Sequence, residues 1–235
     1  MERVKNTVWW QGLLDFVFPP LCLGCGVFND GELDICEKCL AAIDRYQYPI
    51  CLNCETVITG KAKCPACGEK SLPLFAFGNY RYPLKEIVIQ FKFHGVTSPA
   101  KILADLINQQ FGERIAALKT AALVPIPLFP SRENHRGYNQ AVLFAEQLSK
   151  LLAISVRGDI IFRDRKRKPQ AKLNLRQRSM NIKGVFSVIE PSEKLMRVIL
   201  VDDVVTSGAT VQEAARVLKA ANYHVCAVIS MAHGA

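Results

Sequence analysis

Eight of the nine cysteines of this 235-residue chain fall between Cys22 and Cys67, as four Cys-x-x-Cys pairs: Cys22/Cys25, Cys36/Cys39, Cys51/Cys54 and Cys64/Cys67. The gaps between successive pairs are 10, 11 and 9 residues. No other feature restricts the fold as much. Each pair sets two sulfurs on one tight turn, and two such knuckles brought together complete a tetrahedral four-cysteine zinc site. Disulfides need an oxidising compartment, of which the sequence carries no sign. A thioredoxin-like dithiol occurs once, at a helix start, not four times in succession. An iron–sulfur cluster is compatible with the spacing. Zinc is the preferred reading, as two structural ions rather than one. Neighbouring knuckles are expected to pair, 22/25 with 36/39 and 51/54 with 64/67, because short hairpins close at low entropic cost. A cross-braced arrangement uses the same eight residues.

Half of the chain is hydrophobic, 22% charged and 9% aromatic, which fits a globular protein and excludes wholesale disorder and collagen-like sequence. The length accommodates two units, an N-terminal helix with the cysteine module over 1–72 and an α/β domain over 73–235, each expected to have its own core. The formal charge of +9 falls to about +5 if eight thiolates hold two zinc ions. Much of it is concentrated in one run: Arg163, Arg165, Lys166, Arg167, Lys168, Lys172, Arg176, Arg178 and Lys183 stand against Asp164 alone. Such a run is either a solvated face or an attractor of phosphate-rich partners. Near the start, Trp9 to Phe18 is apolar apart from Gln11, Gly12 and Asp15, and Pro19-Pro20 ends it. A bilayer span takes about 20 apolar residues, so this segment is too short. It reads as an amphipathic helix over 8–18. With no transmembrane segment, no small-x-small cleavage site and paired cysteines, the expected compartment is a reducing cytoplasm.

The second informative stretch is Val198-Ile199-Leu200-Val201-Asp202-Asp203-Val204-Val205-Thr206-Ser207-Gly208-Ala209-Thr210. Four consecutive aliphatics read as a buried parallel strand. Two carboxylates follow at its C-terminal edge, where open α/β sheets bind ligands. A hydroxyl-rich turn then opens a helix with Val211, Ala214, Ala215 and Leu218 on its inner face. Gly208 admits close approach of a phosphate, the free amides at the helix start bind an anion, and Thr206, Ser207 and Thr210 add hydroxyl donors. Asp202 and Asp203 repel phosphate and suit sugar hydroxyls or a magnesium shell, which places a ribose beside the phosphate. The bland reading is a strand followed by an ordinary capped helix. Further strands are expected at 75–80, 121–127, 159–163, 185–189 and 224–231, with helices at 84–93, 100–112 and 140–152, giving a parallel sheet flanked by helices. After the strand ending Val124-Pro125-Ile126-Pro127 comes a loop bearing Arg132, His135, Arg136, Gly137, Tyr138 and Asn139, again at a C-terminal strand edge.

The stretch ending at Thr210 closely resembles the phosphoribosyl pyrophosphate signature of type I phosphoribosyltransferases. The resemblance implies that Asp202 and Asp203 contact the ribose hydroxyls, and that Thr206, Ser207, Gly208, Ala209 and Thr210 cradle the 5′-phosphate. The loop with Arg132 and Arg136 then corresponds to the pyrophosphate loop. The whole chain resembles the ComF/GntX family, a double zinc ribbon joined to a phosphoribosyltransferase domain. The supporting motifs are Phe18-Pro19-Pro20-x-Cys22, Phe91-Lys92-Phe93-His94-Gly95, Arg136-Gly137-Tyr138-Asn139-Gln140 and Gln170…Leu173…Arg178…Asn181…Gly184…Phe186. Lys172 departs from the glycine expected before Leu173.

What the resemblance implies is a site for phosphoribosyl pyrophosphate and magnesium. A nitrogen nucleophile displaces pyrophosphate at ribose C1, with Asp202, Asp203 and Arg136 in catalytic roles. Arg132 and Lys92 bind the leaving group, although a lysine on an amphipathic helix is more often solvated. Family members are linked to natural transformation. The alternative is therefore a non-catalytic competence protein that binds single-stranded DNA beside the DNA-uptake machinery, with the sugar-phosphate site as a nucleotide sensor. The ribbon is expected in the hood position over the sheet. His135 lies within the cationic loop, where a contact to phosphate is the less favoured reading, while His94, His224 and His233 are expected to be structural or exposed. Cys226 reads as a buried small residue.

Overall fold

In the computed structural model, residues 19–60, 63–163, 184–190 and 196–234 are described. The helix expected over 8–18 and most of the basic run, 164–183 with Lys172, lie outside them. The elements are α1 (Glu37–Ala42), β1 (Ile50–Cys51), β2 (Pro73–Asn79), α2 (Leu84–Phe93), α3 (Ser98–Ala116), β3 (Ala122–Pro125), α4 (Pro130–Arg136) and α5 (Gln140–Leu152). Then follow β4 (Ser155–Val156), β5 (Ile161–Arg163), β6 (Phe186–Val188), β7 (Arg197–Val205), α6 (Ala209–Ala220) and β8 (His224–His233).

Val198, Ile199, Leu200 and Val201 are fully buried in the middle of β7, as an aliphatic run covered on both faces must be. The sheet runs in the order β1-β2-β8-β7-β3-β4. The pairs from β2 to β4 are parallel, and only β1 enters antiparallel, against β2. Because alternate side chains leave opposite faces, Ile199 and Val201 meet Ile87, Phe91, Leu103, Phe111 and Phe144 of α2, α3 and α5. Val198 and Leu200 meet Val211, Ala214 and Leu218 of α6. The result is the helix-flanked, mostly parallel α/β sheet that the sequence implied.

Three local expectations change. The segments 159–163 and 185–189 do not join the parallel sheet; β5 and β6 pair with each other as an antiparallel ribbon, with Phe162 opposite Ser187. Their half-exposed burial pattern is that of a strand with one wet face, not of a strand buried on both sides. The sheet edge is taken instead by the two-residue β4. The cationic loop after β3 contains the short helix α4, which Pro130 begins and Gly137, at φ +80°, ends.

The cores are not separate either. One cluster joins Cys22, Ile35, Cys39 and Ile43 to Phe75, Phe77 and Leu84, and the other joins Ile50, Leu52 and Leu72 to Leu74, Val205 and Val211. Among the described residues, the cysteine module alone owns only the small cluster of Cys51, Ile58 and Cys64. A module with so few buried apolar residues must bury them against its neighbour. Among the described residues no helix is long and apolar enough to cross a membrane.

Candidate functional site

The eight cysteines form two tetrads, Cys22, Cys25, Cys36 and Cys39, and Cys51, Cys54, Cys64 and Cys67, with all sulfurs of a set within 4.8 Å of one another. Neighbouring knuckles pair, and the cross-braced alternative falls away. Tetrahedral zinc with Zn–S bonds near 2.3 Å needs sulfurs about 3.8 Å apart. Cys25 and Cys36 are 3.9 Å apart, Cys54 and Cys64 3.5 Å. The amides of Gly24 and Cys36 donate to Cys22 Sγ at 3.4 and 3.2 Å, the usual support of a knuckle sulfur. Each tetrad fits one zinc ion and leaves no coordination position for substrate, so the metal is structural.

The acid pair lies at the C-terminal end of β7. Asp202 Oδ1 accepts from the Asp203 amide at 2.8 Å, and Asp203 Oδ1 accepts from the Val204 amide at 2.6 Å. Asp203 is buried and ion-pairs with Lys92 Nζ of α2 at 3.0 Å. Lys92 is thus not the solvated lysine its helix position favoured; its ammonium also lies 5.9 Å from the centre of the Tyr80 ring. Burial, and next the Asp203 charge, push the Asp202 carboxyl up to about 7, while Lys92 and Arg163 pull it down.

Beyond the acids, Thr206, Ser207, Gly208, Ala209 and Thr210 turn from β7 into α6 and line a hollow of about 40 Å³ with Asp202. Gly208 is needed there twice over. Its φ is +71°, and an added Cβ would come within 2.9 Å of Leu52 Cδ1, inside the Cys51/Cys54 knuckle of the second tetrad. The cysteine module therefore reaches the turn directly.

The α4–α5 junction is braced from below. Tyr138 Oη donates to Phe91 O at 2.5 Å, and Asn139 caps α5 by accepting from the Ala141 amide while donating to Ile126 O. Arg136 lies over the Phe93 ring at 4.9 Å and donates to Gln140 Oε1 at 3.0 Å. Gln140 is buried and its Nε2 has no hydrogen-bond partner among the described residues. Arg132 lies in α4, with its side chain outside the described residues. His135 is exposed in the last turn of α4.

Several residues had no sequence signal. Arg163, which looked like the start of the basic run, donates to Pro127 O at 2.7 Å, lies over Phe129 and Phe186, and acts on Asp202. Tyr46, Asn79 and His233 join hands across the module boundary, and no motif announced it. Cys226 is buried, as expected.

Residues 13–70 match the double zinc ribbon domain, and residues 139–235 match the phosphoribosyl transferase domain. Competence protein F of Haemophilus influenzae is 30% identical over 208 residues, covering 84% of this chain and 90% of that protein. DNA utilization protein YhgH of Salmonella typhimurium is 32% identical over 208 residues, covering 85% and 91%. Competence protein ComFC of Bacillus subtilis is 29% identical over 200 residues, covering 78% and 77%. With both zinc tetrads closed and a phosphoribosyltransferase-type turn at the end of β7, the chain belongs to the ComF family, in which a double zinc ribbon is joined to a phosphoribosyltransferase domain.

Proposed function

We propose that the protein binds phosphoribosyl pyrophosphate at the end of β7 and transfers its phosphoribosyl group to a nitrogen nucleophile, in the cytoplasm and in a process of DNA uptake or use. The carrying observation is the juxtaposition of three parts at one strand end: the acid pair, the hydroxyl-lined turn and the Lys92 ammonium 3.0 Å from Asp203. Thr206–Thr210 take the 5′-phosphate on amides and hydroxyls, and Asp202 and Asp203 take the ribose hydroxyls. The new bond forms from nitrogen to C1, and the C1–oxygen bond breaks with its electrons leaving on pyrophosphate. Lys92, Arg136 and Arg132 meet the growing negative charge, since donors preorganised away from bulk water stabilise such charge strongly. The unpaired Gln140 Nε2 supports an anion beside Arg136: a buried donor left unpaired costs about 1–3 kcal/mol, which an anion's oxygen relieves.

The family implies magnesium, and the acid pair fits it. Oδ2 of Asp202 and of Asp203 has no partner among the described residues and is the hard oxygen donor that magnesium prefers. A bound magnesium ion would supply charge neutralisation of the pyrophosphate. Calorimetry with phosphoribosyl pyrophosphate, followed by a pyrophosphate-release assay over ammonia, amines and nucleobases, tests the reading. No heat of binding in zinc-loaded protein would refute it.

A second reading, single-stranded DNA binding, is favoured by one feature. At the opposite end of the strands a groove of about 980 Å³ runs between the ribbon and α6. Lys63, Lys70, Arg197, Arg216 and Lys219 line it against Glu69. Two phosphate contacts there correspond to a log–log salt slope of about 1.4. Changing Lys70 and Lys219 to Ala should remove that much, and an unchanged slope would leave the groove a solvated face.

A further inference from the structure

Four polar side chains meet at the C-terminal ends of β2 and β8. Asn79 Nδ2 donates to Asp44 Oδ2 at 2.5 Å, which turns the Asn79 Oδ1 toward Tyr46. Tyr46 Oη donates to that oxygen at 2.6 Å and also lies 3.1 Å from His233 Nδ1. A phenol has one proton, and an amide oxygen only accepts. The Tyr46 proton is therefore spent on Asn79, and the contact to His233 forms only if Nδ1 carries the hydrogen and donates it. A neutral imidazole has a single N–H, so Nε2 is left as a lone-pair nitrogen. It makes no hydrogen bond among the described residues. Burial holds His233 below the usual imidazole range, with Glu55 opposing. The other charged groups around Tyr46 are Asp44, which acts with Glu55, and Arg81, which acts against them.

The place of His233 in the sheet connects this chain of bonds to the sugar-phosphate site. His233 is in register with Val205, the residue before the phosphate turn, and the Gly234 amide donates to Val205 O at 3.0 Å. Adjacent strands are about 4.8 Å apart, so the two residues are one strand spacing from each other. On the other side the Tyr80 amide donates to His233 O at 2.7 Å. The Tyr80 ring in turn lies near the Lys92 ammonium that pairs with Asp203. His233 is thereby flanked by the phosphate turn and by the residue that supports the acid pair.

We infer that His233 is the proton acceptor of the phosphoribosyl transfer, held in its Nδ1–H tautomer by the Tyr46–Asn79–Asp44 chain. As the acceptor nitrogen bonds to C1 and pyrophosphate departs with the electron pair of the broken C1–oxygen bond, the N–H proton of the attacking nitrogen passes to His233 Nε2. The inference rests on the transfer reading above and narrows its substrate class. The attacking nitrogen carries a hydrogen to lose, as in ammonia, primary amines and N–H heterocycles. A pyridine-type nitrogen, with no hydrogen, has no need of His233. Because Tyr46 and Asp44 precede β1 in the cysteine module, the ribbon supplies half of the device.

Two measurements on the zinc-loaded full chain test it. Long-range proton–nitrogen NMR reads the tautomer directly. Hydrogen on Nδ1 is expected, hydrogen on Nε2 overturns the inference, and Tyr46→Phe should erase the preference. Pyrophosphate release is then followed with phosphoribosyl pyrophosphate and ammonia, a primary amine, a purine and a pyridine carboxylate. His233→Asn keeps an N–H donor near the Nδ1 position and removes Nε2. It should slow release with N–H acceptors by at least about 100-fold, the lower range for a general base, while calorimetric affinity for phosphoribosyl pyrophosphate stays within about twofold. Tyr46→Phe should show a smaller loss of about tenfold with the same acceptors. Full activity of His233→Asn overturns the base assignment and leaves the transfer reading standing. A wild type that binds phosphoribosyl pyrophosphate but releases pyrophosphate with none of these acceptors overturns both.

Discussion

The Lys92–Asp203 pair makes the sharpest energetic demand on the site. Its atoms are 3.0 Å apart, and the two side chains are only 16% and 11% exposed. At an effective dielectric near 20, unit charges at that separation attract by about 5 kcal/mol, most of which offsets desolvation. Lys92→Met strands Asp203 as a buried anion next to Asp202, so the full cost of a broken buried pair applies, about 3–5 kcal/mol. Asp203→Asn strands Lys92 instead, but the ammonium keeps the Tyr80 ring and escapes no like charge, while the acid–acid repulsion disappears. It should cost less, about 1–3 kcal/mol. The double variant leaves no stranded charge and should cost less than the sum by about 2–3 kcal/mol. Urea unfolding of the four proteins in zinc-containing buffer at pH 8 reads these values. Additivity within about 0.5 kcal/mol, or Asp203→Asn costing more than Lys92→Met, would refute the argument.

Other outcomes follow from the same geometry. Gly208→Ala should destabilise by about 1–2 kcal/mol from its left-handed backbone alone, plus a steric share from Leu52 that Leu52→Ala relieves; a double variant no better than the single would exclude the contact. Chelating the zinc should speed amide exchange in β7 and β8 as well as in the ribbon, since both main cores are shared, and exchange confined to residues before Pro73 would contradict that. The raised Asp202 carboxyl keeps its proton in the fold at pH values where the unfolded chain has lost it. Its contribution is full below the ordinary carboxylate range and is lost as pH rises through about 7. Carbon NMR titration should show Asp202 ionising at lower pH in Asp203→Asn, and an unmoved titration would leave burial as the whole cause.

What the sequence disclosed depended on how local the signal was. The β7 aliphatic run, the acids and the turn are contiguous, so one strand–turn–helix carries the whole message. The cysteine tetrads were equally legible because knuckle spacing and short hairpins decide both ligands and pairing. Arg163 opens the basic run in sequence, but its role was not legible there because its environment is built from Pro127, Phe129 and Phe186, which belong to two other segments. The β5–β6 ribbon was misread because three residues of alternating burial resemble a short sheet strand until their partner is known. His233 was read as structural or exposed, and it is buried and bonded to Tyr46, 187 residues earlier, a partner that no local pattern announces.

That separation explains why a structural metal belongs to a site built on an α/β sheet. Among the described residues, Leu52 against Gly208 and Tyr46 against His233 are two of the places where the ribbon reaches the C-terminal edge of the sheet. Both must be placed to a few tenths of an ångström, one by van der Waals contact and one by hydrogen bonding. Among the described residues, the segment that carries them has little core of its own, with only Cys51, Ile58 and Cys64 in its private cluster. Apolar packing on that scale cannot hold a chain so firmly. Closed tetrahedral zinc sites can, because each converts four flexible side chains into one rigid node and adds metal-binding free energy to folding. On this argument the zinc ions set the positions of Leu52 and Tyr46, and through Tyr46 the contact to His233 Nδ1.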